Sequence, residues 1–116
     1  EQCCKFRKVE PLRGALAGRA AWITGLKRVD SPTRATIPIV SFDETFGLVK
    51  VNPLATWTDE DIASYEADHH LPVHPLMKVG YRSIGCAPTT RPVVDGEDPR
   101  AGRWVGSNKT ECGLHA

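Results

Sequence analysis

Apolar positions recur in short runs along this chain, and their spacing changes from helical to strand-like within the first 25 residues. Phe6, Val9, Leu12 and Leu16 fall on one helical face, which predicts a helix over residues 5–17. Pro11 removes a backbone donor inside that stretch, so an interruption is expected there, and Gly18 is the expected stop. Ala20 to Thr24 is a short, mostly apolar run ending at Gly25, the pattern of a buried parallel strand. Two further strands are expected at residues 37–40 and 47–51. They would pair antiparallel across the turn-like Asp43-Glu44-Thr45, with Pro38 suited to an edge.

The clearest helix begins after Thr58, an N-cap with Asp61 at the third helical position and Trp57 placed to staple onto Ile62. Asp59, Glu60 and Asp61 complement its positive end, and Leu71-Pro72 stops it after about His69. A short helical turn is expected after Pro75. From Pro92 onward the chain becomes rich in Gly, Pro, Asp and Arg and loses its periodicity, which reads as loop. The elements together describe a mixed α/β domain. In an open sheet of that kind ligands lie beyond the carboxyl ends of the strands, which draws attention to the polar loop Leu26–Arg34.

Composition sets bounds on this picture. With 116 residues, 41% of them hydrophobic and 25% charged, the chain has the make-up of one ordinary globular domain. No apolar run reaches the ~20 residues of a membrane span, and no secretory signal opens the chain. A cytoplasmic location is expected, with neither membrane nor nucleic acid as partner. The opening Glu1-Gln2-Cys3-Cys4 is abrupt and suggests a piece of a longer protein. The net charge of +1 conceals an uneven distribution: residues 1–34 carry eight Lys or Arg against three acids, and residues 35–72 carry one Lys against seven acids. Two basic segments could therefore close around one anionic ligand, with the acidic middle turned elsewhere.

The four cysteines sharpen the chemistry. Cys3 and Cys4 are adjacent, which disfavours a bridge between them, so thiol or metal chemistry in a reducing compartment is the better reading than two disulfides. His69, His70 and His74 show no metal-ligand spacing and read as structural. Cys112 lies in a polar tail, residues 105–116, expected to be mobile about Gly113. Lys109 and His115 stand three residues to either side, and positive neighbours favour the thiolate, the reactive form of cysteine.

Five motifs in order bring these features together: Cys3-Cys4 with Arg7-Lys8-Val9-Glu10-Pro11-Leu12, Trp22-Ile23-Thr24-Gly25, Asn52-Pro53-Leu54, Gly80-Tyr81 with Ser83-Ile84-Gly85-Cys86, and Glu111-Cys112-Gly113-Leu114-His115. In this the chain resembles the carboxyl-terminal half of the assimilatory sulfonucleotide reductases, which act on adenylyl sulfate (APS) or phosphoadenylyl sulfate (PAPS). The resemblance implies part of an open, mainly parallel α/β sheet of the PP-loop nucleotide-hydrolase type over residues 1–104, with the nucleotide-binding half absent, and a loop-rich tail. It implies an APS reductase in which Cys112 becomes an S-sulfocysteine, AMP leaves, and a dithiol of the thioredoxin type releases sulfite. His115 would orient the tail or the leaving group, and Lys8, Arg34, Arg100 and Arg103 would bind the substrate, with Lys27 and Arg28 as further candidates. A homo-oligomer is also in keeping with the family.

In the APS branch a Cys-Cys pair and a later Cys-x-x-Cys hold a 4Fe-4S cluster. Cys3, Cys4 and Cys86 match those positions, but the fourth is Thr89, whose hydroxyl is a poor ligand for iron. A three-thiolate cluster, a zinc site or an empty site stay open, as do cluster-free PAPS reduction and an inactive metal-binding fragment.

Overall fold

The computed structural model describes residues 2–115. It opens with three consecutive helical pieces: α1 (Gln2–Cys4), a π-helical segment (Lys5–Val9) and α2 (Glu10–Leu16). The expected interruption at Pro11 does not occur. Pro11 falls in the first turn of α2, where a missing N–H costs least, and the preceding wide turn closes through the Glu10 amide on the Lys5 carbonyl. The helix ends as the spacing predicts, with Gly18 in the left-handed region at φ +72°.

Three strands form one sheet in the order β1 (Ala21–Ile23), β3 (Leu48–Val51), β2 (Val40–Asp43). β1 runs parallel to β3 and β2 antiparallel to it, so the sheet is mixed rather than mainly parallel. The second strand starts where the expected one ends, with Val40 opposite Val51 and Asp43 opposite Leu48. The physical reason lies in the preceding residues. Pro38 has no donor for a ladder, and the carbonyls of Pro38 and Ile39 accept from Asn52 Nδ2 (2.9 Å) and from the Asn52 amide (2.7 Å). Asp43 is correspondingly a strand residue whose carboxylate accepts from the Thr45 and Phe46 amides, and Gly47 closes the hairpin at φ +73°.

β1 is not the buried strand its apolar run suggested. Among the described residues it has a strand partner on one side only, and Ile23 is 74% exposed, as Phe42 on the opposite edge is 63% exposed. The buried centre is small: Leu26, Leu48 and Ala55 around the polar pair Thr24 and Asn52. Asn52 holds it together. Its side-chain oxygen accepts from the Thr24 hydroxyl at the end of β1, its amide groups grip the segment leading into β2, and its carbonyl receives the Ala55 amide at 3.1 Å.

α3 (Asp59–Asp68) carries the expected capping box, with the Asp61 amide donating to Thr58 Oγ1 and the Thr58 amide to Asp61 Oδ2. Trp57 packs edge-on against Tyr65 at 5.6 Å, further along the helix than the expected Ile62. Each of the three clustered histidines has a structural role. His69 caps α3 and lies on Tyr65, His70 turns the chain at φ +53°, and His74 Nδ1 accepts from the Leu76 amide. Among the described residues no helix is long and apolar enough to cross a membrane.

Candidate active site

The loop leaving β1 supplies one wall of the site, as the strand-end rule anticipates. It folds into two short 3₁₀ turns, Arg28–Asp30 and Pro32–Arg34. Lys27 and Arg28, the further candidates, are committed to holding that loop. Lys27 Nζ pairs with Asp30 at 3.1 Å and with Asp59 at the start of α3 at 2.6 Å, and Arg28 Nε donates to the Ile37 carbonyl. This leaves Ser31, Thr33 and Arg34 facing the tail.

What they face is Glu111. Arg34 makes a fork-to-fork pair with it, Nε to Oε1 at 2.9 Å and Nη2 to Oε2 at 2.7 Å, while its Nη1 reaches Asp30 at 3.3 Å. The hydroxyls of Ser31 (3.3 Å) and Thr33 (3.2 Å) donate to the same Oε1. Arg100 completes the grip: its Nη2 lies 3.6 Å from Glu111 Oε2 and donates to the Thr110 carbonyl at 3.0 Å. Glu111 is partly buried here. Burial alone would raise its carboxyl, but Arg34, then Arg100 and Thr33, outweigh that and hold it below its usual range.

Three residues beyond Cys112 the tail is anchored a second time. The His115 ring stacks on Trp22 of β1, with centroids 5.6 Å apart and 12° between planes. Lys50 Nζ, 5.0 Å from the Trp22 ring centroid, completes the group. Burial, then the charges of Lys50 and Arg34, push the imidazole down to about 4. His115 is thus neutral near pH 7, and its Nδ1, like Trp22 Nε1, is buried without a hydrogen-bond partner among the described residues. Glu111 and His115 both border a cavity of about 410 Å³ together with Arg34, Lys50, Asn52 and Pro38. Cys112 is held between these two anchors, half-buried and, like the other three cysteines, free of any disulfide.

The cation beside the thiol differs from the two expected from sequence spacing. His115 is uncharged, and Lys109 Nζ points to Cys4 Sγ at 3.7 Å. Arg103 is the cation whose charge Cys112 attracts. Burial and then Arg100 lower its guanidinium below its usual range, against the attraction of Cys112, Cys86 and Glu111. Three features fix its position. Nη1 donates to Ser83 Oγ at 2.9 Å, the Trp104 ring lies 4.6 Å from the guanidinium carbon, and the guanidinium passes directly over Gly85, leaving no space for a Cβ there. Arg100 lies 5.2 Å from the same indole, so Trp104, at an unusual φ of +50° for an aromatic residue, gathers both arginines. The Lys8 side chain, on the π-helical segment, has no ion-pair or hydrogen-bond partner among the described residues.

The three cysteines expected to hold a cluster do not form a ligand set. Among the described residues no three His, Cys, Asp or Glu side chains stand where they could share one metal ion. Cys3 and Cys86 are exposed, and Thr89 turns its hydroxyl back to the Cys86 carbonyl at 3.4 Å. As placed, these residues do not fit a four-thiolate iron–sulfur cluster.

Sequence reasoning quoted Glu111 and Trp22 in motifs without giving either a role, and passed over Ser31 and Thr33. An unpaired acid beside the tail cysteine, in a site otherwise rich in arginine, was the available signal for Glu111.

Comparisons with known proteins agree with the motifs. A family model described as phosphoadenosine phosphosulfate reductase domain matches residues 1–92. The chain is 63% identical over 115 residues to the adenosine 5'-phosphosulfate reductase of Mycobacterium tuberculosis, covering 99% of this chain and 45% of that protein. It is 58% identical to the adenosine 5'-phosphosulfate reductase of Rhodococcus opacus, covering 99% of this chain and 47% of that one. The chain therefore spans about half the length of the relatives it matches. Among solved structures, the phosphoadenylyl-sulfate (PAPS) reductase of Candida auris in its phosphate complex superimposes with a TM-score of 0.62 at 31% identity, covering 72% of this chain and 40% of that one. The chain belongs to the phosphoadenosine phosphosulfate reductase domain family.

Proposed function

We propose that the protein carrying this chain reduces adenylyl sulfate in sulfate assimilation, with Cys112 as the nucleophile. The observation that carries the reading is the doubly anchored tail, which holds a free thiol between Glu111 on Arg34 and His115 on Trp22. The Cys112 thiolate attacks the sulfur of the sulfate group. A sulfur–sulfur bond forms, the bond from sulfur to the bridging oxygen breaks, and AMP leaves with that electron pair. A thiolate of a thioredoxin-type dithiol then attacks Cys112 Sγ, sulfite departs, and the second thiol of the donor restores Cys112 as it closes its own disulfide. The dithiol supplies both electrons that take sulfur from sulfate to sulfite. Cations beside the developing negative charge stabilise the first step, which is the task of Arg103 with Arg100 and Lys8. The three strands then form one part of an open sheet of the PP-loop type, and the remainder of the reductase supplies the nucleotide pocket and any contacts within an oligomer.

Incubating the complete protein with labelled adenylyl sulfate, without reductant, tests this. Label should accumulate on Cys112 as an S-sulfonate and be absent from Cys112→Ser; label on another residue, or none, overturns the reading. A second reading, reduction of phosphoadenylyl sulfate without a cluster, is favoured by the dispersed thiols and by Thr89 at the fourth ligand position. The ratio of kcat/KM for the two nucleotides decides between them.

A further inference from the structure

Arg100 and Arg103 set two like charges close together, and the charge of Arg100 works against that of Arg103. Carboxylates do not hold the pair. Arg100 Nη2 lies 3.6 Å from Glu111 Oε2, but Arg103 has no carboxylate at ion-pair distance among the described residues. The contact common to both is the indole of Trp104, whose ring centroid lies 5.2 Å from the Arg100 guanidinium carbon and 4.6 Å from that of Arg103. Both distances fall within the about 6 Å over which a ring face attracts a cation, and indole is the strongest such face.

The ring reaches them from a backbone bent into the left-handed region at φ +50°, where an aromatic residue is rarely found. The neighbours impose that bend from both sides. Before it, Arg103 bridges antiparallel to Thr90, and the Arg91 amide donates to the Gly102 carbonyl at 2.9 Å. Gly102 lies so close to the Arg91 carbonyl that a Cβ would not fit. After it, the Val105 amide donates to the Thr89 carbonyl at 3.2 Å and the Ser107 amide to the Trp104 carbonyl at 3.0 Å. A strained residue persists only where its surroundings over-determine it, and such residues cluster at functional sites.

We propose that Trp104 is a positioning residue for sulfonucleotide reduction: its ring keeps the guanidinium groups of Arg100 and Arg103 together so that both meet one anionic group of the substrate. The proposal rests on the reading of this site as one for adenylyl sulfate. Cations gathered before the ligand arrives need no assembly on binding, so less of the binding energy is lost to ordering them. A neutral ring holds them without a competing carboxylate that the substrate would have to displace. Among the described residues the Arg103 side chain donates to Ser83 Oγ alone, so its other N–H groups stay free for oxygen acceptors.

The experiment uses the protein expressed from its complete gene and compares Trp104→Phe, Trp104→Leu and Trp104→Gly. Leucine keeps apolar bulk without a ring face, and glycine accepts the left-handed backbone without strain, so a folded ringless variant is available whatever leucine does to stability. Affinity for adenylyl sulfate is measured by calorimetry in a Cys112→Ser background, where no sulfur transfer follows binding. Kd should rise about tenfold in Trp104→Leu and Trp104→Gly and stay within about threefold in Trp104→Phe. Adding Arg103→Gln to Trp104→Gly should cost less than Arg103→Gln costs alone, because the ring acts through that arginine. An unchanged Kd in Trp104→Gly, a loss in Trp104→Phe as large as in Trp104→Leu, or strict additivity with Arg103→Gln would each overturn the proposal. A readout without ligand is the Nε–H signals of Arg100 and Arg103 in ¹⁵N-labelled protein. The ring current of Trp104 should displace them, and in Trp104→Gly they should return to the ordinary arginine position; signals that do not move overturn it as well. If the parent binds no adenylyl sulfate, the function proposed above fails while the arginine signals still read the role of Trp104.

Discussion

At the scale of single residues, His115 shows how packing changes what a side chain can do. Three positions from the tail cysteine it reads as a cation that helps the thiolate, yet stacked on Trp22 near Lys50 and Arg34 it is neutral, its ring pushed down to about 4. Released into water, the ring would return to the ordinary value near 6.5, so between the two values the released tail binds more protons than the docked one. Docking is therefore at full strength above the ordinary value, weakens as the pH falls through the window, and levels off below about 4. Glu111, held below the usual carboxylate range, adds to the loss in the same direction. An NMR titration of the His115 ring in the complete protein should give a midpoint near 4. A midpoint at the free-histidine value would show a ring exposed to water.

Arg103 carries a second residue-scale prediction. Its guanidinium occupies the space above Gly85 that a side chain would take. In Gly85→Ala the guanidinium has to move, because the obstructing atom sits at the end of a flexible chain and yields before the backbone does. The expected result is a rise of about tenfold in KM for the sulfonucleotide, equivalent to about 1.4 kcal/mol, with little change in the melting temperature. A large fall in melting temperature with KM unchanged would assign Gly85 to the fold instead.

At the scale of elements, the sequence made legible those parts whose signals are local. The capping box at Thr58 and Asp61 and the stop at Gly18 follow from neighbours in the chain. The parts it concealed depend on partners far away. The start of β2 is set by Asn52, 14 positions beyond Pro38 in the sequence, and the groups that donate to the Glu111 carboxylate lie some 77 to 80 positions from it. Pro11 misled for a different reason: a proline in a helical pattern signals either a break or a first turn, and the wide turn before it decides for the latter. Asn52 is the element-scale case open to test. Asn52→Ala leaves the Pro38 carbonyl and the Thr24 hydroxyl without their partner beside a side chain that is 2% exposed. Two lost buried hydrogen bonds should cost about 2–4 kcal/mol, measured as a shift in the denaturant midpoint of the complete protein. A cost within about 0.5 kcal/mol, the range of an ordinary surface change, would mean the hub is dispensable.

At the scale of the whole molecule, the chain is more open than its composition leads one to expect. Its radius of gyration is 15.3 Å, against about 13 Å for a compact domain of roughly 100 residues. Among the described residues only Leu26, Leu48 and Ala55 are buried hydrophobics, while Ile23, Val40 and Phe42 leave apolar surface on both edges of the sheet. Strands of that composition are normally covered, and the relatives are about twice as long as this chain. The 116 residues produced alone should therefore bind a hydrophobic dye such as ANS and unfold without a sharp transition, whereas the protein from the complete gene should bind little dye and melt cooperatively. A sharp melt without dye binding from the short chain would mean that its few buried side chains suffice. The pairing of Arg34 with Glu111 then bears on more than the tail. By joining residues 31–34 to residue 111 it closes most of the chain into one loop, so cutting it with Glu111→Gln should make the tail the first region to exchange its amides in the complete protein, ahead of β1 and β3.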